Sequence, residues 1–495
     1  MNIDQLITKF IQASIEAGDI KAMDEIYKTN QLLALLQKEY YKKITFSEIS
    51  ENRLSLLDAL IEYAVAHGVI DDLVASKEIL EAKIMDLITP SPSETNHIFW
   101  ENYQKSPKLA TDVFYAQSKD NNYIKTREIA QNIDYTYADP MYGNMQITIN
   151  LSKPEKDPAE IALAAKNKAN YTYPSNFLVV ENEGYAGNLN HPARSNHRII
   201  RININQEEWG FQYSPYAYFN EHAIFLAIEH RPMKITTQAI ENLLEIINQF
   251  PHYFVGSNAD LPIVGGSILS QDHYQAGNHH FPIEKAASFY TFSIADLPDV
   301  TANLVVWPLS TIRLTSKNKQ QLVAASEKIL SAWKQYTDES VDIIAHTGET
   351  PHNTVTPIAR RNGDDFELDL VLRNNRTSDE FPDGIFHPHP HVQHIKRENI
   401  GLIEVMGLAI LPGRLKTELI EVKHYLLGEA NEINPSHLAW AKTIKADTHM
   451  ITQDNVDQLV NDEIGKVFTE VLENAGVFKM DKTGQEAFIQ FVNTL

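Results

Sequence analysis

The stretch that most limits what this chain can become runs from Asp260 to Lys285 and reads DLPIVGGSILSQDHYQAGNHHFPIEK. A short apolar run leads into a glycine pair, a second apolar run follows, and then imidazoles and amides crowd together. Gly265 and Gly266 have no Cβ, so the backbone there can take conformations closed to other residues and can lie directly against a phosphate. Ser270 to Gln275 have the texture of an extended segment, in which alternate side chains share a face. That places Gln271, His273 and Gln275 together. On such a face an imidazole can attack phosphorus while its neighbours donate hydrogen bonds to the non-bridging oxygens, and histidine is largely neutral near pH 7. The plainer reading of His273 is a satisfied histidine on a buried strand.

These residues also carry a likeness. DLPIVGGSILSQDHYQAG closely resembles the active-site signature of class II galactose-1-phosphate uridylyltransferases, whose chemistry is similar to that of the histidine-triad superfamily. The family's His-x-His-x-Gln is matched by Gln271, His273 and Gln275, so the first histidine is replaced by glutamine and His273 takes the nucleophile's place. The resemblance implies exchange of UMP between UDP-glucose and galactose 1-phosphate through a covalent uridylyl-histidine, with Gln275 assisting catalysis and with no cofactor. It also implies substrate contacts from Gly266, Ser270, Gln271, Arg194, Asn353, Arg373, Asn375, His394 and Glu404. Two alternatives stay open: a dinucleotide phosphorylase or another nucleotidyltransferase, and a catalytically decayed protein that only binds nucleotide sugars. A homodimer is expected from the resemblance alone.

Composition narrows the field from the other side. The 495 residues carry a formal charge of -22, which argues against a nucleic-acid partner held through phosphate contacts, and an anionic nucleotide sugar then needs a local basic pocket. Arg194, Arg198, Arg313, Arg373 and Lys285 are the candidates to supply it. No cysteine occurs, which excludes disulfides and thiolate metal sites and suits a reducing cytoplasm. The family's expected zinc-type cysteine pair falls on Asn176 and Val179 here, so no metal is expected. MNIDQLITKF lacks the form of a secretory signal, and no run of 18 apolar residues suggests a membrane span. The expectation is a cytoplasmic protein.

Along the chain, Ile3, Leu6, Ile7, Phe10 and Ile11, and again Leu54, Leu57, Ile61, Ala64 and Val65, recur at helical spacing. Pro90 and Pro92 then mark a boundary, which gives a helical region over 1–92. From about 96 the sequence turns aromatic and alternating, with Met145, Ile147, Ile149 and Leu151 on one side of a strand that runs into a loop carrying Lys153 and Lys156. Ile200, Ile202 and Ile204 alternate, His222 to His230 reads as a buried strand, and Ile240, Leu243, Leu244 and Ile247 form a helical stripe after Thr236 and Thr237. The histidine-bearing segment follows. Asn303–Leu314 reads as one strand, 317–336 as a helix, and GETPHNTVTPIARR stands where the first unit has its His-Tyr-Gln. The predicted fold is therefore α+β, with two histidine-triad-like half-units built on antiparallel sheet over 93–290 and 291–415. A helical region over 416–495 completes it.

A rival lies at 386–396, FHPHPHVQHIK, where His389, His391 and Gln393 repeat the His-x-His-x-Gln spacing. It keeps both histidines. However, it follows strands instead of a helix, it is introduced by the turn PDGIF, and no glycine pair precedes it. HIKRENIGLIEVMGLAILPGRL, just beyond, resembles the class II family and makes His394 the shared imidazole, with Glu404 near the hexose phosphate. Several histidines this close could bind a metal, though a surface or substrate-site role fits a cysteine-free chain better. The pair His279 and His280 reads as cover for a sheet edge.

Overall fold

Short alternating runs in the middle of the chain pair into one large sheet. The computed structural model describes residues 2–46, 49–152, 173–266 and 268–495, and the predicted loop with Lys153 and Lys156 lies outside them. The strands in chain order are β1 (Ile133–Asp139), β2 (Gly143–Ile149), β3 (Ile200–Ile204), β4 (Glu207–Tyr213), β5 (Ala223–Ala227), β6 (Phe254–Gly256), β7 (His273–Gly277), β8 (Ser288–Phe292), β9 (Thr301–Val305), β10 (Thr311–Ser316), β11 (His346–Thr347), β12 (Thr350–Pro351), β13 (Asn353–Asn362), β14 (Asp365–Asn374) and β15 (Leu408–Leu411). Ten of them form an antiparallel sheet in the order β3-β4-β5-β7-β6-β13-β14-β10-β9-β8.

That order is one unit written twice. Read inward from either edge, β3-β4-β5-β7-β6 and β8-β9-β10-β14-β13 repeat the same path, and the halves meet where Gly256 pairs with Ile358 and Val255 with Ala359. Each half places one long helix between its third and fourth strands in the chain, Thr237–Gln249 in the first and Lys319–Gln335 in the second. Thr236 caps the first, its side chain accepting from the Ala239 N–H at 3.3 Å. Ile240, Leu243, Leu244 and Ile247 share one apolar layer with Leu322, Ala325, Ile329 and Trp333, so the helices cover the same sheet face. The residues that alternate with this buried set point to the other face. That face receives the small sheet β1-β2-β15, in which β15 runs parallel to β2, and the long helix Val456–Ala475. Residues 6–88 hold a separate apolar cluster of their own.

The structure corrects three expectations about elements. Residues 92–129 are largely helical, not strand-like: Pro92–Tyr103 and Pro107–Asp120 are helices, each with proline in its first turn and a serine cap, Ser91 and Ser106. Proline lacks the N–H that the first turn leaves unbonded anyway, so the residue read as a breaker is a start signal. Asn303–Leu314 is not one strand but the hairpin β9–β10, interrupted around Trp307 and Pro308, where the indole N–H donates to the Val405 carbonyl at 2.9 Å. Finally, GETPHNTVTPIARR forms β12 and β13, and the strand that occupies β7's place in the second half is β14.

Candidate active site

His273 opens β7 and its side chain is 6% exposed. Strand alternation sends Tyr274 and Ala276 into the helix-side core, where Tyr274 stacks on Trp209 at 5.0 Å, and turns His273 and Gln275 to the other side. His273 Nδ1 lies 2.8 Å from the Gln271 carbonyl oxygen. A carbonyl can only accept, so Nδ1 carries the hydrogen and Nε2 holds the lone pair. Burial lowers the His273 pKa, which keeps the ring neutral. Nε2 has no protein partner among the described residues.

Two residues along, Gln275 reaches the wall of a cavity of about 440 Å³, a volume in the range of small-ligand sites. Asn258, Gly265, Gly266, Glu398, Asn399, Gly401, Leu402, Ile403 and Glu404 form the rest of the wall. The glycine pair is needed here for close approach: neither residue has a positive φ. A Cβ on Gly265 would come within 2.6 Å of the Ala259 and Leu261 carbonyl oxygens, and one on Gly266 within 2.6 Å of the Asn258 Nδ2. Asn258 in turn accepts from the Leu402 N–H at 2.9 Å, so the glycine loop and the 401–404 turn hold each other across the cavity.

Charge is arranged behind this wall. Glu404 accepts from Lys396 Nζ at 2.9 Å and from the Gly401 N–H at 3.2 Å. Burial works against the Lys396 ammonium, but the Glu404 carboxylate outweighs it and leaves the pKa above the usual lysine value. Arg373 is 1% exposed, donates to the Ile400 carbonyl at 3.0 Å, and leaves its Nε buried without a partner. Burial pushes its pKa down to about 10, opposed by the charge of Glu404.

Of the residues singled out in the sequence, Gln275, Gly266 and Glu404 line the cavity, His273 lies on the same strand face as Gln275, and Arg373 bonds the Ile400 carbonyl behind the wall. The others fall elsewhere. Gln271 precedes β7, fully buried, and its amide donates to the Ala227 carbonyl at 2.8 Å. Ser270 is exposed. Arg194 lies over the Tyr123 ring in a separate small cleft with Asn122, Lys125 and Tyr216. Asn353 donates to the Trp333 and Tyr336 carbonyls and accepts from Asn374, which closes the end of the helix Lys319–Gln335. Asn375 ties His352 to the Pro262 carbonyl. His394 packs against His437 and Trp440, and burial pushes its pKa down to about 4. Two of the proposed diphosphate cations are taken up internally, Arg198 by Asp86 and Arg313 by Asp369.

The rings of the rival cluster are tied to separate partners. His389 stacks on Phe381 and bonds the Ile385 carbonyl, whereas His391 is exposed and paired with Glu470. Among the described residues no group of three or more His, Asp or Glu could hold a metal. Asn176 accepts from the Leu178 N–H, and Val179 is fully buried. Asn258, Asn399, Gly401 and His222 were missed by the sequence reading, because each becomes part of the site through a contact between segments far apart in the chain.

The first of two like halves of antiparallel sheet presents an imidazole and a carboxamide on one strand face, groups suited to nucleotidyl transfer. Residues 18–232 match the N-terminal domain of galactose-1-phosphate uridyl transferase, and residues 245–442 match its C-terminal domain. The chain is 54% identical over 491 residues to the galactose-1-phosphate uridylyltransferase of Lactiplantibacillus plantarum, covering 99% of each chain. It is 52% identical to that of Enterococcus faecalis, covering 99% of this chain and 98% of the other, and 53% identical to galactose-1-phosphate uridylyltransferase 1 of Streptococcus pneumoniae, covering 99% of each. The crystal structure of yeast Ap4A phosphorylase Apa2 is similar with a TM-score of 0.35 and 14% identity, covering 67% of this chain and 91% of that one. The chain belongs to the galactose-1-phosphate uridylyltransferase family. No helix among the described residues is long and apolar enough to cross a membrane.

Proposed function

We propose that the protein exchanges UMP between UDP-glucose and galactose 1-phosphate through a covalent adduct on His273. The observation that carries this reading is the 2.8 Å bond from Nδ1 to the Gln271 carbonyl, which leaves a lone pair on Nε2 of a ring that burial keeps neutral. Nε2 bonds to the α-phosphorus of UDP-glucose in line as the bond to the bridging oxygen breaks, and that electron pair leaves with glucose 1-phosphate. The leaving group is a weakly basic phosphate, so no proton has to be delivered to it. The uridylyl-imidazole is cationic, and its Nδ1–H bond to the Gln271 carbonyl becomes charge-assisted. Gln275 donates from its amide to a non-bridging oxygen as charge builds there. A phosphate oxygen of galactose 1-phosphate then attacks the phosphorus, the N–P bond breaks, and the ring returns to its neutral form.

The test is to incubate the protein with UDP-glucose labelled in the uridylyl phosphate, isolate it, and measure bound label. Wild type and His391→Ala are expected to carry label and His273→Ala none. Label that persists in His273→Ala but disappears from His391→Ala would move the nucleophile to the exposed cluster. An unlabelled wild type would favour a binding protein, and label from adenine dinucleotides in place of UDP-glucose would change the substrate.

A further inference from the structure

We infer that His222 is a positioning residue for the transfer: it fixes which end of the Gln275 carboxamide faces the substrate. A glutamine amide has two ends of nearly equal shape and opposite chemistry. With the NH2 turned to the phosphoryl group it stabilises developing negative charge, and with the oxygen turned there it repels it. A terminal amide does not settle that choice by its own torsion, because rotation about it is broad. Something in the fold has to hold the oxygen back.

His222 Nε2 lies 3.0 Å from Gln275 Oε1. The other ring nitrogen, Nδ1, is buried with no partner among the described residues, and a buried unpaired N–H costs more than a buried bare lone pair. The proton therefore sits on Nε2 and donates to Oε1, which leaves both hydrogens of the Gln275 amide for the cavity wall that it forms. The ring itself is held. His222 is 4% exposed, with Phe219 at 4.4 Å and Tyr218 at 5.6 Å between ring centroids, and its carbonyl accepts from the Ser214 N–H at 2.8 Å. Next along the chain, β5 pairs Ile224 with Gln275, and strand alternation puts His222, two residues before Ile224, on the same sheet face and diagonal to Gln275.

The inference rests on His273 as nucleophile and on Gln275 as hydrogen-bond donor to a phosphoryl oxygen. Label bound by the wild type tests that reading alone; only the rate of labelling tests His222. His222→Phe keeps the ring packing and removes the donor. In single-turnover labelling it is expected to slow adduct formation about tenfold, with binding of UDP-glucose changed less than about threefold, since an orienting bond acts mainly on the transition state. His222→Gln, which can place an N–H near the Nε2 position, is expected to recover most of the rate. In a Gln275→Ala background His222→Phe is expected to change nothing further, because two residues that act as a unit are not additive. An unchanged rate in His222→Phe, or the same fold loss with and without Gln275, would overturn the inference. Should the Phe variant not accumulate folded, His222→Asn takes its place in the same cycle and is read by the same two outcomes.

Discussion

At the scale of single residues the site depends on close approach as much as on reactive groups. Gly266 has ordinary backbone angles, yet a methyl added there meets the Asn258 amide at 2.6 Å, and Asn258 holds the Leu402 N–H on the far wall. Gly266→Ala is therefore expected to cost about 1–3 kcal/mol by overpacking and to raise the KM for UDP-glucose as the 401–404 turn shifts. Chemical denaturation and steady-state kinetics would show both, and a variant with unchanged stability and KM would sink the account. Gln275→Ala removes the donor proposed for the phosphoryl oxygen, and a loss of about 10²-fold in kcat is expected. That His273 and Gln275 share one strand face was legible in the sequence, because residues two apart on a strand point the same way. His222 was not, because its partner lies 53 positions away and only the pairing of β5 with β7 brings them together.

At the scale of elements, the second half fills with internal ion pairs the place where the first half keeps its imidazole. β14 stands where β7 stands, and Glu367 and Asp369 project from it to the same side as His273 and Gln275. Asp369, fully buried, accepts from Arg313 Nε at 2.7 Å and pairs with Arg360 at 2.9 Å, while Glu367 pairs with Arg360. Burial works against the Asp369 charge, but the two guanidiniums outweigh it and hold the pKa below the usual aspartate value. Arg313 also donates to the Ile283 carbonyl at 2.7 Å, so the network fastens the 282–285 turn across the sheet. Asp369→Ala leaves two buried guanidiniums without their central anion and is expected to destabilise the protein by about 3–5 kcal/mol. The adduct rate of the remaining folded protein should be unchanged, since the network lies in the half opposite His273, the proposed nucleophile. Urea unfolding and labelling of one preparation separate the two effects, and a slowed adduct in well-folded Asp369→Ala would contradict this division of labour. The duplication was visible in the sequence as a recurring strand and helix pattern. The matching strand was misassigned because β6 is three residues long and leaves almost no periodicity, so β13 was aligned with β7 in place of β14.

At the scale of the whole molecule, the design buries several neutral imidazoles, and this gives its stability a direction in pH. The unfolded chain protonates a histidine near pH 6.5, whereas burial pushes His222 down to about 4 in the folded protein and also moves His197 and His273 downward. Between those values the unfolded state binds more protons than the folded one, so stability rises with pH. The contribution is fully present above about pH 6.5 and is lost as pH falls towards 4; for a residue as enclosed as His222 it is on the order of 3 kcal/mol. This direction was not readable from the residues alone, because 19 histidines in an acidic chain could as well have been surface groups with stabilising partners. Urea midpoints are expected to fall from pH 7 to pH 5 in the wild type and to fall less steeply in His222→Phe, which has no ring nitrogen to protonate. Equal slopes in the two proteins would mean that water or a rearranged neighbour reaches the His222 ring, and the bond that orients Gln275 would then lose the enclosure on which its geometry depends.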